Sequence, residues 1–591
     1  MKGETKRMKT AKTFVKLTSC PFARRDSFLA FFNDPGGSEI FGASSLWLSN
    51  TRGGSTIGAV TNRQIKLEIQ QNGRAIASVN STTPYEVIQE SDHGQVRYCI
   101  GGRNFVRCLG TGLQGSSLVM RPSAPRGFLA GASFYDLMDG TWQLGFGESR
   151  MRLIPITGKL TQEGMQFRMT PGEDGVIELV FEEYTLDPVP GDIHSFPDYE
   201  ACLADVKKDF DSYAAAVMPE LPAPYEDMRL QALWTTWSHT NDAHEDDLFR
   251  HTVVKMMRGV FEHISGWQQA MQAICLSKDI KLAWSILASC FDYQDVNGRI
   301  ADIYDNQTLP KDTMKPPFQG VALKWLMKNR DLSGIPAEEK KKLYDGLKKW
   351  TEFFLLCRDL DHDGIWENRK AGETGWEDGP YFYVGFPLAS PDMNAYLEIC
   401  MEALAAFGKE LGEPDADSWQ QRADELRDKI VKTFWDGERW FAFNATTKKA
   451  AKSDSLPLYA ALILGDRLPK DIAEKSIEYI FREDTFETPF GLATESLTSP
   501  LYRGGWCQGS VVTPVHIIFP LAFEALGRKD LAKRIAKEYC DLLKNTGFYH
   551  FHNAISGEPS IGSAMGVEKT LFWSAWTSSC YLFLADRYLR D

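Results

Sequence analysis

No stretch of the 591 residues approaches the roughly 18 consecutive apolar side chains of a membrane span, so no membrane partner is expected. A surplus of positive charge is missing as well. The chain has 66 Lys and Arg against 79 Asp and Glu, a formal net charge of −13. Binding a phosphate backbone requires a basic face, so no nucleic-acid partner is expected either. Cysteine is sparse. Its eleven copies are an odd number, scattered without CxxC or Cys/His spacing. That argues against a disulfide framework or a zinc site and for reduced thiols. The basic stretch from Met1 to Phe28 carries no apolar core of a signal peptide, so a cytoplasmic location is expected. P-loop, GxSxG and HExxH motifs are lacking. Gly110-Thr-Gly112-Leu-Gln-Gly115 matches GxGxxG in letters only, because no helix start follows to provide an anion-binding N-terminus.

What is abundant is ordinary globular material plus rings. Hydrophobic residues make up 43%, too many for a disordered chain. Aromatics reach 12% with 16 Trp, enough for a large core and for indoles that stack on the apolar faces of a sugar. The length alone predicts about four domains of ~150 residues, unless one ring absorbs several of them.

The pattern changes near residue 190. Ahead of it the period is two: Ile65, Leu67 and Ile69 alternate with polar residues, and Asn72-Gly73 then marks a hairpin turn. Met165, Phe167 and Met169 alternate likewise, and Val176 to Tyr184 reads as a further strand. Residues 1–190 are therefore expected to form an antiparallel β-sandwich. Asp187-Pro188-Val189-Pro190-Gly191 reads as a linker. Beyond it the period is 3.6. Ser390-Pro391 opens a helix whose apolar positions run from Met393 to Leu411 and which stops at Gly412. A second helix carries Trp419, Ala423, Leu426, Ile430 and Phe434 on one face. Comparable segments fall at 199–217, 224–237, 267–290, 318–358, 453–482, 515–526, 531–543 and 567–589. About twelve helices in hairpin pairs are expected over 191–591. A closed toroid buries that many one-sided faces around one central pocket.

Carboxylates cluster twice. Asp359, Asp361, Asp363 and Glu367 flank Gly364 like the first half of a calcium loop, although Lys370 stands where an EF-hand needs Glu. The set would hold a structural calcium; the alternative is a polar turn. Glu373, Glu377 and Asp378 share a short Gly-rich loop with Trp376. Carboxyls crowded beside an apolar ring have raised pKa values, which suits a glycosidic general acid. His239, Asp242, His244 and Asp246 read as a solvated polar loop, and Lys340-Lys341-Lys342 as a solvated helix face.

The helical half resembles the six-hairpin (α/α)6 glycosidases, in particular glycoside hydrolase family 63 and trehalase-like enzymes. The matching pieces occur in that family's order: Gly266-Trp267-Gln268, Gly298 to Asp302, Lys315 to Gly320, Asp361 to Glu367, Glu373 to Glu377, Ser390 to Leu397, Gly491 to Glu495, Gly505 to Gly509, Gly547 to His550, and Trp573. The resemblance implies an N-terminal β-sandwich and a toroidal catalytic domain. It implies an inverting glycosidase, with calcium in some members and no cofactor required for the chemistry. It also places Trp267, Gln268, Gln319, Glu373, Trp376, Gln508 and Trp573 around a small saccharide or glycoside.

Five positions depart from the family pattern. The acid Asp is Glu377, the following Asn is Asp378, the Asp after Gly-Trp is Gln268, the pocket Arg is Gln508, and the base Glu is His550. The expected acid is Glu377, with Asp378 as alternate. The expected base is His550 or the C-terminal carboxylate Glu568, ahead of Glu558, whose Gly-Glu-Pro setting reads as a turn. A phosphorylase, lyase or epimerase on the same scaffold, or a non-catalytic sugar-binding protein, remain alternatives to an exo-acting hydrolase.

Overall fold

The computed structural model describes residues 13–33, 46–52, 64–123, 132–146, 149–184, 195–258, 262–309, 314–560 and 572–590. The 187–191 linker lies outside them, and with it the boundary expected at residue 190.

Two antiparallel eight-stranded sheets form the N-terminal part. In the first, the strands run in the spatial order 22–23, 29–33, 46–50, 65–71, 116–122, 166–170 and 159–163, with 74–75 attached to 65–71. In the second the order is 132–136, 142–146, 149–157, 177–184, 105–111, 94–100, 87–91 and 78–82. The sheets face each other through rings: Phe31 meets Tyr98 at 5.2 Å, and Phe167 meets Phe134 at 5.4 Å and Trp142 at 5.3 Å. The Asn72-Gly73 turn forms with φ of 50° and 75°, the left-handed pair that a tight hairpin demands. Its second strand is only Arg74–Ala75, and by Ser78 the chain has entered the other sheet. Gly110 ends strand 105–111, and Gly112 and Gly115 lie in the connection that carries the chain from that strand, in the second sheet, to strand 116–122 in the first.

The helical part is a closed double ring. The inner segments are Gly266–Cys275, Gln319–Asn329, Pro391–Leu411, Leu456–Arg467, Val515–Ala525 and Ala575–Tyr588, each packed on the next and the last on the first. The outer helices are Arg229–Ser238, Ile280–Ser289, Ala337–Cys357, Ala416–Phe434, Lys470–Ile480 and Lys529–Thr546. Two expected long segments divide: 267–290 breaks at 276–279, and 318–358 breaks at 330–336. The expected 453–482 segment is a 3₁₀ stretch bent at Gly465, followed by a separate α-helix. Ser390 occupies the N-cap position without accepting from the helix's first amides; Asn394 Nδ2 instead donates to the Ser390 carbonyl at 2.9 Å.

Helix Tyr199–Val217 joins the two parts, packing on strands 94–100 and 105–111 and on helix 229–238. Trp234 is fully buried at this seam against Phe14 and Phe22, and its indole N–H donates to the Pro84 carbonyl at 2.9 Å. Here the expectation of a solvated loop at 239–246 fails at His239 and holds towards Asp246, whose side chain is exposed. His239 is fully buried, its Nε2 accepting from Arg258 N at 3.0 Å, and burial holds its imidazole neutral. Asp242 takes Arg25 in two hydrogen bonds of 2.8 and 3.0 Å, His244 pairs with Asp26 at 2.7 Å, and Arg103 bridges Asp246 and Asp247. The polar run is matched by charges from the sandwich. Half-exposed pairs are each worth about 0–1 kcal/mol, whereas truncating a buried Trp costs about 3–5 kcal/mol. Trp234 therefore holds the seam, and the ion pairs set its register.

Candidate active site

The inner segments begin at one mouth of the ring, and the expected site residues gather in the connections that lead into them. Residues 376–379 form a tight turn closed by Gly379 N donating to the Trp376 carbonyl at 2.7 Å. Glu377 and Asp378 are its two central residues. Gly375 precedes the turn with φ of 76°, and a Cβ there would sit 3.2 Å from the Trp267 indole and 3.4 Å from Pro316. Glycine thus lets the acid loop lie directly on the aromatic wall.

That wall is continuous. Trp267 packs edge-on to Trp376 at 6.1 Å, to Tyr396 at 5.6 Å and to Phe318 at 5.4 Å. Both indoles are almost fully buried, so their main contribution is to fix the loop.

Glu377 forms an ion pair with the buried Lys315. Burial alone would lower the Lys315 pKa, but Glu377 and Asp302 together hold it above its ordinary value. Asp302 is pushed up to about 6 by burial, which Lys315 partly opposes. Its Oδ1 accepts from Ser265 Oγ at 2.9 Å and from Gly266 N at 2.6 Å, capping the helix that carries Trp267. Asp378 is also pushed up to about 6, chiefly by burial, with the adjacent Glu377 adding to the rise and a hydrogen bond from Cys507 N at 2.9 Å opposing it. Gln508 Nε2 donates to the Asp378 carbonyl at 3.0 Å and to the Tyr383 hydroxyl at 3.2 Å. An acidic pair, a buried ammonium and a second buried carboxyl thus form one connected group.

The same 505–513 stretch reaches the expected base position. Strand Ser510–Val512 pairs with Phe551–Asn553, and Thr513 Oγ1 lies 3.0 Å from His550 Nδ1. The His550 ring stacks on Trp576 at 5.1 Å. Burial, and then the neighbouring His552, bring the His550 pKa down to about 3, so the imidazole is neutral. Trp573 is held by its main chain to Ser19 of the sandwich at 2.7 Å, and its ring packs on Phe548. Glu568 lies outside the described residues. Glu558 sits in the expected turn, its carbonyl accepting from Asn553 N at 2.9 Å.

The remaining expected residues divide by what holds them. Gln268 donates to the Val254 carbonyl at 3.3 Å, while its buried Oε1 has no protein partner. Gln319 is used at both ends, donating to the Gly266 carbonyl at 2.9 Å and accepting from Trp350 Nε1 at 3.0 Å. Glu373 is fully engaged: one oxygen meets Arg358 at 2.9 Å and the other accepts from Arg369 N at 2.8 Å. Gln319 and Glu373 therefore brace the loops. Lys315, Asp302 and Cys507 were not read as site residues, although all three stand inside the recognised motifs. The signal was a lysine four residues before the helix start at Gln319.

Asp359, Asp361, Asp363 and Glu367 present oxygens that all lie within 4.8 Å of one another. Asp359 Oδ1 is buried with no protein partner. Glu367 is pushed up to about 7 by burial, with the three aspartates adding to the rise. Lys448 offsets part of this charge through Asp361 at 2.6 Å. An all-oxygen set with surplus negative charge fits a hard cation of the calcium type. No described helix is long and apolar enough to cross a membrane.

Residues 262–574 match the family of mannosylglycerate hydrolase MGH1-like glycoside hydrolase domains. No curated protein matches the chain. Among solved structures, the family 63 mannosylglycerate hydrolase of Thermus thermophilus, in complex with Tris, aligns with a TM-score of 0.52 at 15% identity. That alignment covers 60% of this chain and 99% of the other. A bacterial glucoamylase complexed with acarbose aligns with a TM-score of 0.55 at 10% identity, covering 97% of this chain and 94% of the other. The second alignment spans sandwich and ring together.

Proposed function

The chain belongs to the mannosylglycerate hydrolase MGH1-like glycoside hydrolase family, and from that premise we propose that this glycosidase is inverting and exo-acting on a small glycoside. The observation that carries the reading is the Glu377–Asp378 turn. Glu377 stands where the family's acid is expected, and Asp378 holds a proton to about pH 6. Proton delivery to the glycosidic oxygen is assigned to this pair, with Lys315 balancing the charge of the member left ionised. Water is activated from the C-terminal side by His550 or Glu568. With Nδ1 turned to Thr513, His550 keeps Nε2 as its remaining ring nitrogen. Gln268 Oε1 and Gln508 are assigned to sugar hydroxyls, and Trp573 to the sugar's apolar face. The solved family 63 relative in complex with glucose supports a substrate of that size.

The Asp359–Glu367 loop is proposed to hold calcium as a structural ion, outside the chemistry. All eleven cysteines are unpaired and ten are buried, which supports the cytoplasmic assignment.

The test is hydrolysis of a panel of aryl and disaccharide glycosides. Glu377→Gln and Asp378→Asn should each lose most turnover while binding persists. Azide should restore turnover to whichever of His550→Ala and Glu568→Ala removes the base, giving a glycosyl azide of inverted configuration. Turnover that requires phosphate would overturn the hydrolytic reading, and full turnover in both acid variants would remove the proposed acid.

A further inference from the structure

A cavity of about 250 Å³ opens beside the connection that leads from helix 416–434 into inner segment 456–467. Asp436, Arg439, Trp440, Phe441, Asp454 and Tyr459 line it. None of them belongs to the catalytic group described above.

The walls are built in advance. Trp435 and Trp440 bridge across a tight hairpin at Gly437. Asp436 Oδ1 fixes that hairpin by accepting from Glu438 N at 2.8 Å and Arg439 N at 2.7 Å. On the opposite wall, buried Glu495 clasps the chain, accepting from Asp454 N at 3.0 Å and Ser455 Oγ at 2.5 Å. The Tyr479 hydroxyl donates to Asp454 Oδ2 at 2.8 Å, and the Tyr459 and Tyr479 rings stack at 5.5 Å, 6° from parallel.

Within this frame two groups are left over. Tyr459 is 1% exposed, and its buried hydroxyl has no protein partner. The buried Ser453 Oγ has none either. A buried hydroxyl left without a partner is destabilising, so two on one cavity wall call for something to bond with them. Asp436 and Asp454 are balanced by Arg439 and Lys452, so the lining carries no net charge to select an ion of either sign. Apolar walls from Trp440, Phe441 and Leu458 disfavour a bare cation. A neutral ring with hydroxyls on its edge and C–H on its faces satisfies every element: carboxylates accept from adjacent hydroxyls, Arg439 donates to them, and the aromatic edges meet the C–H face.

We propose that this cavity is a second saccharide-binding site, sized for one neutral pyranose and separate from the catalytic pocket. It does not depend on the identity of the acid or base.

Equilibrium dialysis of the full chain against labelled methyl α-D-glucopyranoside and methyl α-D-mannopyranoside tests it, at the roughly millimolar affinity expected of a small open site. The intact protein should show two saturable sites per chain for at least one probe. Arg439→Ala, at an exposed position, should reduce them to one while kcat stays within about twofold and Tm is unchanged. Tyr459→Phe should weaken the same site without removing the ring from the core. One site per chain in the intact protein overturns the proposal. So does an unchanged count in both variants, or displacement of the second sugar by sulfate. Any of these results leaves the hydrolase reading standing, because that reading is measured by turnover.

Discussion

Glu377 and Asp378 are neighbours on one turn, yet their partners differ: a buried ammonium for the first, a peptide N–H and partial burial for the second. Two carboxyls in unlike surroundings are what acid catalysis needs near neutrality. Hydrolysis that uses the protonated pair should fall as the pH rises through about 6, and Asp378→Asn should remove that limb along with a factor of about 10²–10⁴ in kcat. A pH–rate profile of both enzymes checks this. The same shift bears on stability. A carboxyl whose folded pKa exceeds its ordinary 3.8 stabilises fully below that value, and the contribution is lost as the pH climbs through about 6. At this scale the sequence was only half legible. Crowded acids beside Trp376 marked the loop, but nothing local indicated that Glu373 is spent on Arg358 or that Glu377 meets Lys315. Those partners come from 15 and 62 positions away, and only the fold brings them together.

Secondary structure was more readily legible, because periodicity is a local property. The 391–411 and 416–434 helices follow their apolar spacing and end at Gly412 and Trp435. What spacing did not show was where long runs break. Residues 276–279 and 330–336 interrupt helices whose apolar pattern resumes on the other side. The jump from one sheet to the other after Ala75 was equally hidden, since alternation looks the same in either sheet. The 359–367 loop belongs to this scale too. Four carboxylates converge on one turn and Lys448 offsets only part of their charge. Calcium at about 100 times its Kd should stabilise the fold by about 2.7 kcal/mol. Thermal melts with calcium and with EDTA should therefore differ, and Asp359→Ala with Asp361→Ala should abolish the difference.

For the whole molecule, the four domains suggested by length reduce to a sandwich and one ring, joined by a seam that buries Trp234. Trp234→Ala should cost about 3–5 kcal/mol, lowering Tm for the sandwich and ring together in a single calorimetric transition. Two separate transitions in the unaltered protein would show that the seam does not couple them. That a sandwich is followed by a helical ring was legible as a change of period; the seam was not, because its ion pairs join residues more than 140 positions apart. The closing contact of the ring has a consequence in time. Inner segment 575–588 packs back on segment 266–275, but it follows that segment by roughly 300 residues, which a ribosome adds in about 15–60 s. Throughout that interval the earlier inner helices are made but cannot be enclosed. The nascent chain must be shielded as an open arc, and the pocket, whose far wall carries His550 and Trp573, comes into being in one late step rather than by degrees.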